Sequence, residues 1–225
     1  MIFDSLKLSD ISEKACMLLR APSNTRPAVW LIEEKGVRAV VKDFSVNRFF
    51  YRNTFGRFLV WREARALRKI KGLKGVPSLL RVIDGLCLVI EEIPGKTLKE
   101  TQDEGRLPDC FFDELNALVD SFHKIGLAHC DLKRAANILL GDDGRPYVID
   151  WAASISKSEF SLPIINRIYK RFIKDDYNAI IKRKLVHCPE TVSNDEREAY
   201  FYQSWTEAAI RAFRDRLRAF LKKVA

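Results

Sequence analysis

The sequence predicts an α+β fold of two lobes, because strand-like segments crowd its first half and helix-like segments its second half. Apolar runs bounded by turn residues, which are typical of a small antiparallel sheet, occur at residues 28–33, 36–44, 78–83 and 86–93. Segments of helical periodicity dominate the second half, at residues 108–125, 164–184, 195–205 and 205–224. With 225 residues, of which 47% are hydrophobic, the chain is long enough to bury a core.

Turn residues connect the predicted strands in pairs. Glu34-Lys35-Gly36 joins the first two strands, and Asp84-Gly85 joins the last two. Between the two pairs, residues around Glu63 have apolar positions at three-and-four spacing and are predicted to be helical. A further helix is predicted over residues 9–19, opened by Ser9 or Asp10.

A second hairpin is predicted in the middle of the chain. Ile138-Leu139-Leu140 and Tyr147-Val148-Ile149 are short apolar runs, and the glycine and aspartate residues of 141–144 form a strong turn signal between them. Such a hairpin brings its two outer ends together. We therefore expect Asp131 and Asn137, which precede the hairpin, to converge with Asp150, which follows it.

Asp131, Asn137 and Asp150 carry the hard oxygen ligands that magnesium prefers. Magnesium usually takes one or two carboxylates from a protein and completes its shell with substrate phosphates and water. Phosphoryl transfer also needs a group that orients the attacking hydroxyl or accepts its proton. The pattern indicates that Asn137 and Asp150 bind the metal and that Asp131 is the candidate base.

The segments HCDLKRAANIL, at residues 129–139, and YVID, at residues 147–150, resemble the catalytic loop and metal-binding segment of the protein-kinase-like superfamily. The resemblance is to small atypical branches: RIO-type kinases, the small kinase of the KEOPS complex, and bacterial lipopolysaccharide core and Kdo kinases. Aminoglycoside phosphotransferases are more distant. In these branches an Ile-Asp pair, here Ile149-Asp150, replaces the Asp-Phe of ordinary protein kinases. The resemblance implies a two-lobed kinase fold with ATP and Mg²⁺ as cofactors.

The same resemblance implies roles for residues upstream. Lys42 closes a valine-rich strand and matches the lysine that pairs with the α- and β-phosphates of ATP. Glu63 matches the ion-pair partner of that lysine. The strand at residues 86–90 runs into a segment that resembles the hinge, where adenine would bond the backbone near Glu91 and Ile93.

Two further residues of the catalytic loop match the family. His129 matches a histidine that holds the loop in place by hydrogen bonding, so the resemblance implies a supporting role. Lys133 resembles the lysine that neutralises the transferring phosphate in protein kinases. The alternative for Lys133 is a loop lysine that faces solvent.

The chain departs from the family pattern at two places. Five residues separate Asp131 from Asn137, whereas most of the superfamily has four. The phosphate-covering loop, expected at residues 21–27, has no glycine, although glycines normally let this backbone approach the nucleotide. Ser23, Asn24 or Thr25 would then cover the phosphates, or the chain is a nucleotide-binding fold without catalysis.

The resemblance implies an N-lobe over residues 1–92 and a C-lobe over residues 93–225. The expected activity is transfer of the γ-phosphate of ATP to a hydroxyl acceptor, first of all a sugar of a bacterial envelope glycolipid such as lipopolysaccharide core. An atypical protein serine kinase of the RIO or KEOPS type is the alternative. A non-catalytic pseudokinase scaffold is a third.

Charge and cysteine usage indicate location and partners. The net charge is +9, and basic residues concentrate between Arg167 and Lys184. This stretch would attract an anionic acceptor or an anionic membrane surface. The alternative is a solvated helical face. The basic amphipathic helix at 205–224 would suit anionic lipid, and the rings mixed with arginines at 44–61 would suit nucleic acid or lipid, but packing is the favoured use of both. No specific nucleic acid is expected. Five scattered cysteines and no leader or spanning pattern indicate a cytoplasmic protein, with peripheral contact at the inner face of the membrane as an open alternative.

Overall fold

The computed structural model describes residues 2–101, 107–108, 110–159 and 163–201, with only the backbone described over 163–168. The predicted helix at 205–224 and the side chain of Arg167 lie outside the described residues. Two compact units divide the chain, Met1–Ile180 and Ile181–Ala225. All of the predicted site residues belong to the first unit.

A five-stranded antiparallel sheet occupies the first part of the first unit, which confirms the predicted α+β class with an antiparallel N-terminal sheet. Its strands follow the order β1-β2-β3-β5-β4. They are β1 (Ala15–Arg20), β2 (Ala28–Glu34), β3 (Val37–Asp43), β4 (Leu79–Ile83) and β5 (Cys87–Glu91). One face of the sheet buries Ile32, Val41 and Val89 together with Phe3 and Leu6 of the N-terminal segment.

Both predicted turns form: two residues connect β2 to β3, and three residues, Asp84 to Leu86, connect β4 to β5. Lys35 and Gly36 have φ of 54° and 76°, and Asp84 and Gly85 have φ of 51° and 66°. Positive φ at both central residues is the geometry that matches the twist of antiparallel strands. These turns therefore fix the register of β2 with β3 and of β4 with β5.

The helix predicted over residues 9–19 is wrong in its second half. A 3-10 turn covers Leu8–Asp10, the helix α1 covers only Ile11–Lys14, and β1 begins at Ala15. The apolar run from Cys16 to Leu19 pairs with β2, so hydrogen bonding to a neighbouring strand prevails over the local helical pattern.

A long helical segment follows β3 and carries Glu63. It consists of α2 (Phe49–Tyr51), a π-helical turn (Arg52–Gly56) and α3 (Arg57–Lys69). α3 buries Val60, Glu63, Ala64 and Leu67 and contacts β4 and β5. The expectation that most rings of this region pack is wrong, because five of them are at least half exposed: Phe49, Phe50, Phe55, Phe58 and Trp61.

The rest of the first unit combines short strands with helices. The strands are β6 (Gly95–Thr97), β7 (Leu127–Ala128), β8 (Ile138–Gly141), β9 (Pro146–Val148) and β10 (Ile155–Ser156). β8 and β9 form the predicted hairpin, β6 pairs with β8, and β7 pairs with β10. α4 (Phe111–Lys124) buries an apolar face beneath the hairpin, and α5 (Pro163–His187) begins after it. Short 3-10 turns cover Ala135–Asn137, Trp151–Ala153 and Lys157–Glu159.

The second unit contains the end of α5, a 3-10 turn (Pro189–Thr191) and α6 (Asn194–Phe201). Inside it, Lys184 is buried and its ammonium lies 2.8 Å from a carboxylate oxygen of Glu196. Arg183 is buried as well. These two residues of the basic stretch are therefore not part of a solvated face. Within the described residues, no helix combines the length and the apolar character that a membrane crossing requires.

Gly95 offers a test of how β6 packs against β8. A Cβ at this position would lie 2.3 Å from the carbonyl oxygen of Leu140 and 2.8 Å from the Cα of Gly141, and φ is +149°. We expect Gly95→Ala to lower the free energy of unfolding by roughly 2–4 kcal/mol, because backbone strain and displacement of β8 both contribute. Urea unfolding measures this.

Gly144→Ala is the matched control. Gly144 also has positive φ, +79°, but a Cβ there meets no atom within 4 Å. Its substitution should cost only the backbone strain, about 1 kcal/mol. Equal losses in the two variants would contradict the steric account of β6.

Candidate active site

Lys42, Glu63 and Asp150 form one charged cluster. The ammonium of Lys42 on β3 lies 2.7 Å and 2.9 Å from the two carboxylate oxygens of Glu63 on α3. The same nitrogen lies 2.8 Å from Oδ1 of Asp150, which directly follows the β8–β9 hairpin. The structure thus brings together three predicted site residues that are far apart in sequence.

Burial and mutual charge shift the pKa of each member of the cluster. Burial lowers the pKa of Lys42, but the carboxylates of Asp150 and Glu63 outweigh burial and leave that pKa raised. Burial raises the pKa of Glu63, and the charge of Lys42 acts against it. The charge of Lys42 lowers the pKa of Asp150 to about 2, although burial acts the other way. At neutral pH the cluster therefore contains a charged Lys42 and an ionised Asp150.

Asp131 and Asn137 lie next to each other, and hydrogen bonds connect them to the segment that carries Asp150. The amide nitrogen of Asn137 donates to the backbone carbonyl of Asp131 at 3.0 Å and lies 3.4 Å from its carboxylate. The backbone N–H of Ile149 donates to the carbonyl of Asn137 at 3.0 Å. Cys130 and Asp150 both have positive φ, 68° and 65°, a strained conformation that clusters at functional sites.

A 3-10 turn accommodates the additional residue between Asp131 and Asn137. The N–H of Arg134 donates to the carbonyl of Asp131, and the N–H of Asn137 donates to the carbonyl of Arg134. The loop is thereby shortened along its path, and Asn137 reaches Asp131 despite the longer interval. The unusual spacing does not by itself separate these two residues.

The residues around Asp150 fit a magnesium ion that is shared with a nucleotide. Both hydrogen bonds of the Asn137 side chain use its nitrogen, so its Oδ1 is the atom that suits a cation. No cluster of three or more histidine, cysteine or acidic ligands occurs in the described part of the chain. One carboxylate and one amide oxygen are the kind of incomplete set that magnesium completes with phosphates and water.

His129 is buried and holds the catalytic loop against the segment before Asp150. Its Nε2 donates to the carbonyl of Ile149 at 3.0 Å, and its Nδ1 accepts from the N–H of Asp131 at 3.3 Å. These partners assign the neutral tautomer with the proton on Nε2. Burial also lowers the pKa of His129, which favours the neutral ring. The geometry fits the supporting role that the resemblance implies.

Asp176 is a site residue that the sequence analysis missed. It is buried in α5, and its carboxylate accepts the backbone N–H of His129 at 2.7 Å and of Cys130 at 2.9 Å. The side chain of His123, in the last turn of α4, is only 6% exposed, and its Nε2 lies 3.0 Å from the same carboxylate. In sequence, Asp176 was one of two acids in a basic stretch, and nothing local indicated a long-range bond to the catalytic loop.

Arg134 is a cation that contacts Asp131 directly. The guanidinium Nε of Arg134 lies 3.1 Å from Oδ2 of Asp131. Lys133 is exposed. Its role as the lysine that neutralises the transferring phosphate stays a prediction.

The predicted phosphate loop is a tight turn. Ser23 and Arg26 exchange two backbone hydrogen bonds, and the buried Asn47 donates to both of their carbonyl oxygens, at 2.7 Å and 3.0 Å. The hydroxyl of Tyr51 donates to the carbonyl of Thr25 at 2.8 Å. Side chains that precede α3 therefore support the glycine-free loop from outside. Arg20, just before the loop, is close enough for its charge to contribute to the lowered pKa of Asp150.

Glu91 and Ile93 can contribute to adenine binding only through the backbone. The N–H of Glu91 already donates to the carbonyl of Ser78, and its carboxylate accepts the N–H of Ser78. The side chains of both residues line an open groove of about 810 Å³ together with Leu118 and Tyr147. A hinge contact to adenine would therefore use the carbonyl of Glu91 and the N–H of Ile93.

Comparison with known protein families decides the classification of the chain. A family model described as the RIO domain matches residues 42–167, more than half of the chain, and this range includes the predicted site residues from Lys42 to Asp150. The chain belongs to the RIO domain family. The fold is accordingly kinase-like, with an antiparallel N-terminal sheet followed by a largely helical part.

A curated relative lies in the same branch of the superfamily as this RIO-domain chain. The EKC/KEOPS complex subunit BUD32 of Encephalitozoon cuniculi is 37% identical over 95 residues. The aligned part covers 41% of this chain and 46% of that protein. The chain therefore spans about half the length of the relative, and similarity over this part places it in the RIO and KEOPS branch.

The neutral state of His129 in this RIO-domain protein has a measurable pH signature. Because its folded pKa lies below the ordinary 6.5, the unfolded chain takes up the proton first as the pH falls. Stability from this residue is fully present above pH 6.5 and falls on acidification by up to about 1.4 kcal/mol per pH unit. We expect the NMR signal of the His129 ring in the folded protein to show no titration near pH 6.5.

Unfolding in urea at pH 7.5 and pH 5.5 is the companion measurement. His129→Gln should reduce the stability that is lost between pH 7.5 and pH 5.5. The reference protein and the His129→Gln variant should both carry His187→Gln, because the pKa of His187 is also lowered. A His129 ring that titrates near 6.5, with equal losses in both chains, would contradict the assignment.

Asp176 should be worth far more to the RIO-domain fold than its neighbour in sequence. We expect Asp176→Asn to lower the free energy of unfolding by about 2–4 kcal/mol, because two buried N–H groups and His123 lose a charged acceptor. Asp175→Asn is the control, since Asp175 is partly exposed and pairs with Arg171 at 2.7 Å. It should cost no more than about 0.5–1 kcal/mol. Similar effects of both substitutions in thermal unfolding would count against the anchoring role.

Proposed function

We propose that this protein is an ATP-dependent phosphotransferase that moves the γ-phosphate of ATP to a hydroxyl, with a protein serine as the favoured acceptor. The observation that carries the proposal is the position of Lys42 between Glu63 and Asp150. A buried lysine held by a helix carboxylate is poised for the phosphates of a nucleotide, and the second carboxylate beside it is poised for their metal.

ATP would bind between the hinge and this cluster. The carbonyl of Glu91 and the N–H of Ile93 would contact adenine. Lys42, oriented by Glu63, would contact the α- and β-phosphates. The turn at Ser23–Arg26, supported by Asn47, would cover the phosphates with backbone and short polar side chains in place of glycines.

The transfer step is a simple exchange of bonds. The acceptor oxygen bonds to the γ-phosphorus, the bond from that phosphorus to the β,γ-bridging oxygen breaks, and ADP leaves with the electron pair. Asp131 orients the acceptor hydroxyl and receives its proton. Arg134, paired with Asp131, and Lys133 nearby would supply positive charge on the acceptor side.

Magnesium would neutralise charge on the ATP phosphates and hold them in line, and Asn137 Oδ1 and Asp150 are the residues to hold it. His129 and Asp176 would act as positioning residues. They hold the backbone of Asp131 and of Ile149, so the acceptor-orienting and metal-binding groups keep a fixed separation.

Membership in the RIO domain family and similarity to a KEOPS subunit support a protein serine acceptor over the glycolipid that the sequence analysis placed first. The glycolipid sugar stays as a second candidate, supported by the net charge of +9, which would attract an anionic acceptor. A nucleotide-binding scaffold without transfer is the third, supported only by the glycine-free loop. The intact Lys42 cluster and the bonded Asp131–Asn137 pair support catalysis instead.

Substitution of the two acidic residues tests the chemistry. Asp150→Ala should abolish transfer from γ-labelled ATP to a serine-containing protein such as casein, and Asp131→Ala should slow it by on the order of a hundredfold or more. Asp142→Ala, in the exposed turn of the same hairpin, is the matched control and should transfer at the wild-type rate. Unchanged transfer in both site variants would show that these residues do not carry the reaction.

The form of the labelled product separates the acceptor classes. We expect the purified protein, incubated with γ-labelled ATP and a cell extract, to yield label recovered as phosphoserine after acid hydrolysis. Label that enters the lipopolysaccharide fraction instead would make the glycolipid the acceptor. Stabilisation of the fold by ATP and magnesium without any transfer would favour the scaffold.

A further inference from the structure

The helical segment that leads to Glu63 exposes an aromatic surface made of Phe49, Phe50, Phe55, Phe58 and Trp61. Between 50% and 82% of each of these side chains is exposed. Large contiguous apolar patches are rare on monomeric proteins and mark contact with a partner or a membrane. The aromatic surface has no part in the proposed chemistry.

The local helix geometry keeps the rings together. A π-helical turn at Arg52–Gly56 lies between Phe50 and Phe58, and the rings on either side of it form contacting pairs. Tyr51 stacks on Phe55 at 5.9 Å between ring centroids, and Phe58 stacks on Trp61 at 6.0 Å. Phe49 and Phe50 contact each other edge to face as well, so the exposed rings occur in three contacting pairs along the segment.

The same segment carries a net charge almost as large as that of the whole chain. Residues 48–71 contain eight lysines and arginines and one acid, Glu63, so they hold +7 of the net +9. Glu63 is buried against Lys42 and does not offset this charge at the surface. Arg62 and Arg65 share Glu159, whereas Arg48, which precedes Phe49, and Arg68, near the end of α3, are exposed.

We propose that the aromatic surface and its flanking arginines dock this protein on an anionic membrane surface. Phenylalanine and tryptophan rings beside arginines are the composition of helices that lie in the membrane interface, with rings among the acyl chains and cations among the headgroups. An anionic bilayer offers both a broad negative sheet and an apolar layer below it.

Nucleic acid is a poorer occupant of the same surface. Binding of single strands uses ring faces that are open for base stacking along a basic groove. Here the faces of Tyr51 and Phe55, and of Phe58 and Trp61, already stack on each other. Arg52, Arg62 and Arg65 also lie over rings, at 5.4 to 5.6 Å from ring centroids.

Membrane contact through this side leaves the candidate active site unobstructed. Glu63 is buried on the inner side of α3, while the rings lie on the outer side. Docking therefore does not require the Lys42–Glu63 pair to open. This inference does not depend on catalysis, because a protein without transferase activity would dock in the same way.

Vesicle sedimentation with the full chain tests the inference. We expect the protein to sediment with vesicles of phosphatidylcholine and phosphatidylglycerol in a two-to-one ratio, and not with phosphatidylcholine alone. Binding should weaken at high ionic strength, because part of the attraction is electrostatic. Failure to bind the anionic vesicles, or equal binding to both, would overturn the inference.

Variants locate the binding on the aromatic surface. The triple substitution Phe50→Ser, Phe58→Ser and Trp61→Ser should weaken vesicle binding more than about tenfold. Arg48→Gln and Arg68→Gln should each weaken it about fivefold. Two double variants are the controls. Ile125→Ser with Val186→Ser changes two exposed apolar residues elsewhere, and Lys99→Gln with Lys124→Gln changes two exposed lysines elsewhere. Each double variant should bind vesicles as wild type does.

Tryptophan fluorescence keeps the test decisive if a variant is unstable. Anionic vesicles should shift the emission of wild-type protein to shorter wavelength, and Trp61→Phe should lose that shift while it still sediments. A single-stranded oligonucleotide that binds wild type but not the triple variant, without any vesicle binding, would make this a nucleic-acid surface and the inference wrong.

Discussion

The contact of Lys42 with two carboxylates is the interaction on which the rest of the site depends. It joins β3, α3 and the end of the central hairpin at a single nitrogen atom. Burial of charged groups is costly, and a single cation has to serve two carboxyl groups, those of Glu63 and Asp150. The cluster therefore contributes little to the stability of the fold. It is suited instead to bind nucleotide phosphates and a metal ion, which would balance its charge.

Around this cluster, the catalytic loop is held by hydrogen bonds at both ends. Asp176 accepts the backbone of His129 and Cys130, and the His129 ring connects the backbone of Asp131 to that of Ile149. The groups that would orient the acceptor and hold the metal are thus fixed by His129 and Asp176. These two buried residues would contact neither the acceptor nor the metal. Such pre-organisation is what phosphoryl transfer requires, since positioning and charge stabilisation supply most of its rate.

Local signals predicted the parts of this protein that local interactions determine. The sheet, its two tight turns and the hairpin before Asp150 followed from apolar periodicity and turn residues, and the resemblance then located Lys42 and Glu63. Long-range contacts were not predictable in this way. Asp176 is distant in sequence from the loop it holds, and the run from Cys16 to Leu19 becomes a strand only because β2 lies beside it. Ring exposure at Phe49 to Trp61 also escaped prediction, since helical spacing does not distinguish a packed face from a docking face.

The central claim is that nucleotide phosphates join Lys42 while Asp150 turns to their magnesium. Calorimetric titration with a non-hydrolysable ATP analogue, with and without magnesium, tests this for wild type and Asp150→Asn. The account predicts that magnesium tightens binding to wild type by at least about tenfold and has little effect on the variant. Equal enhancement by magnesium in both proteins, or no nucleotide binding by wild type, would contradict it.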